Sequence, residues 1–466
     1  MTVGEATPDL DFNWDDKSFL GHPKGLGYLA FTEAWERFSF YGMQALLVLY
    51  MVNFLLLPGN VEQVAGIEQL RAIYGGLEGQ AFASAIFGTY AASVYLTPIL
   101  GGLLADKVLG KRRTVLLGAI TMALGHFLMA FNVTFLFALL CLILGSGMFK
   151  GNISSQVGSL YRPEDLRRAD AFQIFYLGIN AGVIASPLVV GTLGETMGWH
   201  WGFGAAGVGM LVGLAIYVAG QKYLPKEHFD VPDKKAKKAS DPMNRKDWLA
   251  TIALLLLIPV LAVAIVPNNQ IFNAYLVWGD QQFALYWGEE KLPTTWLITL
   301  DAIVSVSFLA GVAGFYRWWK TRWTEPDELS KIIIGSLFSI GGMACLYMAA
   351  ATTPAGEKIG LFWPVMFHIV NSIGFAHMLP VSLALFARLA PRQIAGTVIG
   401  LYFLSFFAAN SIVGYVGGWF ETMPVTQFWL IHMGFAAGAG AVFVLFKLLL
   451  APRLMHEASS EEAALA

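Results

Sequence analysis

Twelve apolar stretches, each long enough to cross a bilayer, constrain this chain more than any other feature. A spanning α-helix needs about 20 predominantly apolar residues. Such segments run at about 26–57, 80–105, 113–131, 134–160, 170–192, 200–223, 248–285, 294–319, 330–352, 360–390, 394–420 and 425–450. Only 13% of the 466 residues are charged and 56% are hydrophobic, where soluble domains carry about 25% charge. In hydrocarbon every backbone polar group must find its partner within the protein, which selects helices at this segment length. The expected fold class is an all-α polytopic membrane protein with twelve helices in two six-helix bundles. A net charge of −2 offers no basic domain for nucleic acid. Cys141 and Cys345 lie mid-segment in different halves and read as small hydrophobes, not as a disulfide.

The longest polar insert sets the division. Residues 1–25 form an N-terminal tail, 26–223 the first bundle, 224–247 a linker, 248–450 the second bundle and 451–466 a C-terminal tail. The acidic, polar start, Met1 to His22, does not read as a cleavable leader. Residues 248–285 read as one long helix kinked at Pro267, because Val266-Pro-Asn-Asn leaves no room for a solvated loop. Orientation follows from Lys and Arg. Of the 30 basic residues, 25 fall in the tails, the linker and the loops on one side, and three (Arg71, Lys291, Lys358) fall opposite. Both termini are therefore expected in the cytoplasm. The two remaining cations, Arg37 and Lys150, lie inside spans, as do the acids Glu33, Glu36 and Asp301.

A charge at the bilayer centre costs about 2.5–3.5 kcal/mol on insertion scales, so three within Glu33-Ala-Trp-Glu36-Arg37 need a reason. At i, i+3 and i+4 they share one helix face, which must look into protein or a water-filled cavity. Two proton-binding carboxylates beside a permanent cation suit movement of a proton or a charged solute. Pairing that merely fixes helix packing is the structural alternative. Between the second and third segments, Gly102-Leu-Leu-Ala-Asp106-Lys-Val-Leu-Gly110-Lys-Arg112-Arg ends a helix and turns at Gly110. Such a loop could clamp helix ends by charge and release them, or simply be a positive-inside loop.

That loop resembles the signature of the major facilitator superfamily. Glu33-x-x-Glu36-Arg37-Phe-Ser-Phe40-Tyr41-Gly42 is similar to the first-helix motif of the proton-dependent oligopeptide transporter family. Gly145-Ser-Gly-Met-Phe-Lys150-Gly-Asn resembles its fourth-helix motif, and Phe175-Tyr176-Leu-Gly-Ile-Asn180-Ala-Gly182 its fifth-helix signature. Tyr95 matches its second-helix tyrosine. The second half departs from the pattern. Phe375 stands where the family has a tenth-helix glutamate that contacts a peptide's amino group. Asn269-Gln270 replaces an acidic-plus-glutamine pair, and Asp301 replaces an asparagine.

The resemblance implies a proton-coupled symporter importing di- and tripeptides by alternating access, not an enzyme, with protons as coupling ion and no other cofactor or metal. It implies proton coupling at Glu33, Glu36 and Arg37, and gating at Gly102, Asp106 and Arg112. Short peptides would be bound by Arg37, Tyr41, Tyr95, Lys150, Tyr176, Asn180 and Asp301. A zwitterionic peptide needs a cation for its carboxylate and an anion for its ammonium. Arg37 and Lys150 are candidates for the first role and Asp301 for the second. Each tyrosine also reads as an anchor or as packing, Asn180 as a helix contact or a ligand, and His377 as a packed histidine. A monomer in the lipid bilayer, with no nucleic-acid partner, is the expected working unit. Two alternatives stay open: the same fold moving another small solute such as nitrate or an amino-acid derivative, and a non-transporting sensor or scaffold.

Overall fold

The computed structural model describes residues 12–162, 164–226, 243–391 and 393–450. Residues 1–11 of the N-terminal tail, most of the linker and all of 451–466 lie outside that description. Among the described residues twelve long helices follow in order: α1 (Lys24–Leu55), α2 (Gly79–Leu109), α3 (Lys111–Leu128), α4 (Asn132–Ser159), α5 (Arg167–Thr196) and α6 (Trp199–Tyr223). The second set is α7 (Arg245–Gln282), α8 (Trp296–Lys320), α9 (Glu328–Thr352), α10 (Phe362–Leu389), α11 (Ala395–Gly417) and α12 (Val425–Leu449). Eleven are long and apolar enough to cross a membrane. The exception is α3, whose 18 residues begin Lys-Arg-Arg. At about 27 Å it nearly matches the hydrocarbon thickness, but three cations in its first turn dilute its apolar content.

The described residues form two compact units. Of these residues, one unit draws on 12–50, Pro58–Ile67 and 96–226, the other on Met51–Leu57, Glu68–Tyr95 and 243–450. The last turn of α1 and the first part of α2 thus group with the second unit.

Helices in lipid associate through close backbone approach at small residues, and each unit shows it. In the first unit α1 is seated by glycines on two neighbours. A Cβ at Gly182 of α5 would stand 2.3 Å from the Ala34 carbonyl oxygen, and one at Gly213 of α6 3.2 Å from the Trp35 side chain. Gly101 of α2 meets Gly147 of α4, where a Cβ would lie 2.0 Å from the carbonyl oxygen. In the second unit Gly88 meets Gly414 of α11 backbone to backbone, and Gly335 of α9 meets Gly374 of α10. Asp327 caps α9 by accepting from the Ser330 amide at 2.8 Å and ties it to Lys447 of α12, also at 2.8 Å.

The long helix α7 is continuous through Pro259 and Pro267. Its break falls after Pro267, at a 3-10 turn over Gln270–Phe272 followed by Asn273 outside helical geometry. The polar groups there are satisfied within the protein. Gln270 Nε2 donates to the Val413 carbonyl at 3.2 Å, and Ser84 Oγ donates to Asn273 Oδ1 at 3.0 Å. Irregular backbone at membrane depth survives only with such partners.

Candidate substrate and proton site

In α1, Glu33 and Glu36 are fully buried, while the Arg37 side chain is 13% exposed. Arg37 donates twice to Glu33 Oε1, from Nη2 at 2.5 Å and Nε at 2.8 Å. Its contact with Glu36 is longer, Nε to Oε2 at 3.3 Å. Glu33 Oε2 and both Glu36 oxygens accept no hydrogen bond within the described structure. One guanidinium therefore serves two buried carboxylates and leaves acceptor capacity unused. Position follows from packing: Gly178 and Gly182 bring the α5 backbone against Ala30 and Ala34, beside the charged face. Ser186 of α5 also donates to the Phe38 carbonyl.

Lys150 of α4 supplies the second cation of this cluster. Its Nζ lies 3.7 Å from the centre of the Phe40 ring, a cation–π contact, and it interacts electrostatically with Glu33, Glu36 and Arg37. Two acids and two cations make a cluster that is neutral when both acids are ionised. One added proton leaves a net positive charge suited to an anion.

Tyr41 is half-buried and in electrostatic reach of Arg37 and Tyr176, and Tyr176 is 54% exposed. Asn180 is half-buried and donates to the carbonyl of Tyr176 at 2.8 Å within its own helix. The close helix contact belongs to its glycine neighbours. In the gating loop, Gly110 turns with a φ of 79°. Arg112 donates to the carbonyls of Leu224 and Pro225 at the end of α6, and Lys111 reaches Ser155 of α4 at 2.7 Å. Asp106 is exposed, and a Cβ on Gly102 would meet nothing within 4 Å. The tight glycine is its neighbour Gly101, which sequence reasoning passed over.

The second unit carries Tyr95 and Asp301. Tyr95 stacks on Phe406 of α11 with ring centres 5.0 Å apart. Phe406 lines a small cavity of about 30 Å³ together with Asn268, Asn269, Ser339, Phe375 and Ser382. Asn269 donates to Asn410 at 3.2 Å, and Asn371 to Asn268 at 2.8 Å. This wall carries no charge: amides, hydroxyls and aromatic rings share it with Leu261, Ala264, Ile265, Met378 and Leu379. Asp301 lies 3.0 Å from His368 of α10, which in turn meets Tyr275 of α7 at 2.8 Å. Sequence reasoning missed both partners, since nothing local to a lone histidine or tyrosine in an apolar run tells which helix it will face. His377 bonds Tyr316 at 3.1 Å and the Ile373 carbonyl at 2.8 Å, and stacks on Phe338.

Opposed charges buried within the spans of a many-helix membrane protein mark a pathway for ions or charged solutes, a feature that secondary transporters share. The family model described as PTR2, POT family, matches residues 112–230. The uncharacterized transporter YclF of Bacillus subtilis is 31% identical, over 88% of this chain and 91% of that protein. The peptide transporter YePEPT of Yersinia enterocolitica is 30% identical, over 86% and 89%. A crystal structure of a peptide transporter POT in complex with sulfate superposes with a TM-score of 0.83 at 26% identity, covering 97% of this chain and 99% of that one. The chain belongs to the POT family.

Proposed function

We propose that this protein imports di- and tripeptides across a bacterial plasma membrane by alternating access, coupled to protons moving inward. The observation that carries the reading is the Glu33–Arg37–Glu36 cluster beside Lys150, with two buried acids, two cations and three carboxylate oxygens free of hydrogen bonds. It sits in a chain 30% identical to YePEPT and 28% identical to a di-/tripeptide transporter of Lactococcus lactis. A proton on Glu33 or Glu36 releases part of the Arg37 guanidinium, which then receives a peptide carboxylate together with Lys150. Discharge of the proton on the inner side restores the internal pair and expels the carboxylate. A membrane potential of about 100 mV adds about 2.3 kcal/mol per charge moved inward. Both termini lie in the cytoplasm by the Lys/Arg distribution, one chain is the working unit, and the proton is the only coupling ion.

A second reading rests on the neutral cavity wall at Asn269 and Phe375. A small anion such as nitrate would need the two cations and no partner for an ammonium. Uptake of a labelled dipeptide into proteoliposomes, challenged with nitrate, free amino acids and N-blocked peptides, separates the two. Competition by unblocked di- and tripeptides alone supports peptide import. Competition by nitrate with none by peptides refutes it.

A further inference from the structure

The second unit holds a chain of proton-exchanging groups that the Glu33–Arg37–Glu36 cluster does not use. Asp301 Oδ1 of α8 lies 3.0 Å from His368 Nδ1 of α10, and His368 Nε2 lies 2.8 Å from Tyr275 Oη of α7. His368 and Tyr275 are fully buried, while the Asp301 side chain keeps 19% of its surface exposed. The chain therefore runs from a partly open carboxylate to a sealed phenol. Three helices each contribute one member.

The groups around it are neutral. Tyr275 meets His368 edge to face with ring centres 5.4 Å apart, and packs on Phe283 and Phe367. One turn along α10, Asn371 is bonded to Asn268 of α7, and Ser372 is bonded to Ser305 of α8. The ion pair given to Asp301 among the described residues is that with His368.

Hydrogen-bond inventory gives this trio two linked states. With neutral imidazole, Nδ1–H donates to the Asp301 carboxylate, and the Tyr275 hydroxyl donates to Nε2. With imidazolium, both ring nitrogens donate, Nδ1–H to Asp301 and Nε2–H to the Tyr275 oxygen, because the hydroxyl reverses its role. One proton can be added or removed while both ring nitrogens, the carboxylate and the phenol oxygen each keep one partner; the Tyr275 O–H gives up its acceptor in the imidazolium state. A pair built only to brace three helices would not need a third member able to reverse.

We propose that Asp301, His368 and Tyr275 form a second proton-binding site, loaded and emptied once per transport cycle. The proposal rests on proton-coupled peptide import as the reading of the whole chain. Its step is simple in balance: one proton enters from water at the exposed edge of Asp301, resides on His368, and leaves by the same group in the other conformation.

The test is the number of protons per dipeptide, from reversal potentials in proteoliposomes holding the full chain. Peptide counterflow without a gradient is the control for folding and peptide binding. In His368→Gln the ratio is expected to fall by about one proton while counterflow persists, and in Asp301→Asn the ratio is expected to fall by the same amount. Tyr275→Phe, which removes only a hydroxyl, is expected to shift the pH of half-maximal uptake while counterflow persists. An unchanged ratio and pH profile with intact counterflow overturns the proposal. So does a raised KM for free-amine peptides alone at an unchanged ratio, which would make Asp301 an ammonium anchor. If the wild type moves no dipeptide, the parent reading fails by itself. The site is then judged by acid–base titration of the purified chain, where His368→Gln should bind about one proton fewer than the wild type. Equal proton uptake by the two proteins overturns it.

Discussion

Arg37→Ala is the perturbation whose cost follows most directly from the geometry. The guanidinium faces Glu33 at 2.5 Å and Glu36 at 3.3 Å, and both carboxylates are fully buried. At an effective dielectric of about 20, unit charges about 3.3 Å apart attract by about 5 kcal/mol gross. Removing one partner of a buried pair costs about 3–5 kcal/mol, because the other charge is stranded. The low end is expected here, since the Arg37 side chain is 13% exposed and Lys150 still faces the acids. The two acids should not contribute equally. Glu33 accepts two hydrogen bonds from Arg37 and Glu36 none, so the 33–37 coupling should be about 2 kcal/mol and the 36–37 coupling about 1 kcal/mol. The assay is a double-mutant cycle of Arg37→Ala with Glu33→Gln and with Glu36→Gln, read as unfolding free energy in mixed micelles. Partial rescue of Arg37→Ala by Glu33→Gln is the expected outcome. Effects additive to within about 0.5 kcal/mol would refute the claim that these charges hold one another in place.

Other consequences are accessible to simpler experiments. Gly182→Val places side-chain carbon where a Cβ alone lies 2.3 Å from the Ala34 carbonyl; it should cost about 1–3 kcal/mol and abolish uptake, whereas Gly102→Val, facing open space, should retain uptake. Lys150→Gln removes one of the two cations and should raise the KM for a dipeptide about tenfold while leaving the thermal midpoint within a few degrees, reflecting the loss of about 1.4 kcal/mol of charge-assisted binding. The hydrogen bond from Arg167 holds the Asp165 carboxyl below the usual carboxylate range, and Arg167 also reaches the carbonyls of Trp14 and Asp16. A depressed folded value means that the contribution is present above the unfolded value of about 3.9 and is lost as pH falls through the folded one. Amide exchange over Trp14–Gly21 should therefore accelerate only on strong acidification, by less than about tenfold given the exposure of the pair; a constant exchange-corrected profile across that range would contradict it.

Much of the fold was legible because lipid leaves so few options. Segment length and hydrophobicity place all twelve helices to within a few residues, and Gly110 turns where the loop pattern puts it. The bend in α7 is less legible. Pro267 marks its neighbourhood, but the break settles at Gln270–Asn273, where amides find Val413 and Ser84 as partners. Those partners are remote in sequence. The charged face of α1 is readable because i, i+3 and i+4 spacing is local. That Arg37 favours Glu33 over Glu36 depends on side-chain geometry. For Asp301, the sequence reveals an ionisable group that needs a partner but cannot choose among helices; His368 and Tyr275 emerge only once α7, α8 and α10 pack together. Gly101 against Gly102 shows the same limit, since adjacent glycines differ only in the direction they face.

Uptake of a labelled dipeptide into proteoliposomes under an imposed inward proton gradient, with and without a protonophore, tests the central claim most directly. The account predicts accumulation above equilibrium that the protonophore abolishes, with accumulation lost in Glu33→Gln or Glu36→Gln while gradient-free exchange remains. Accumulation that survives the protonophore, or that is normal in both variants, would contradict it.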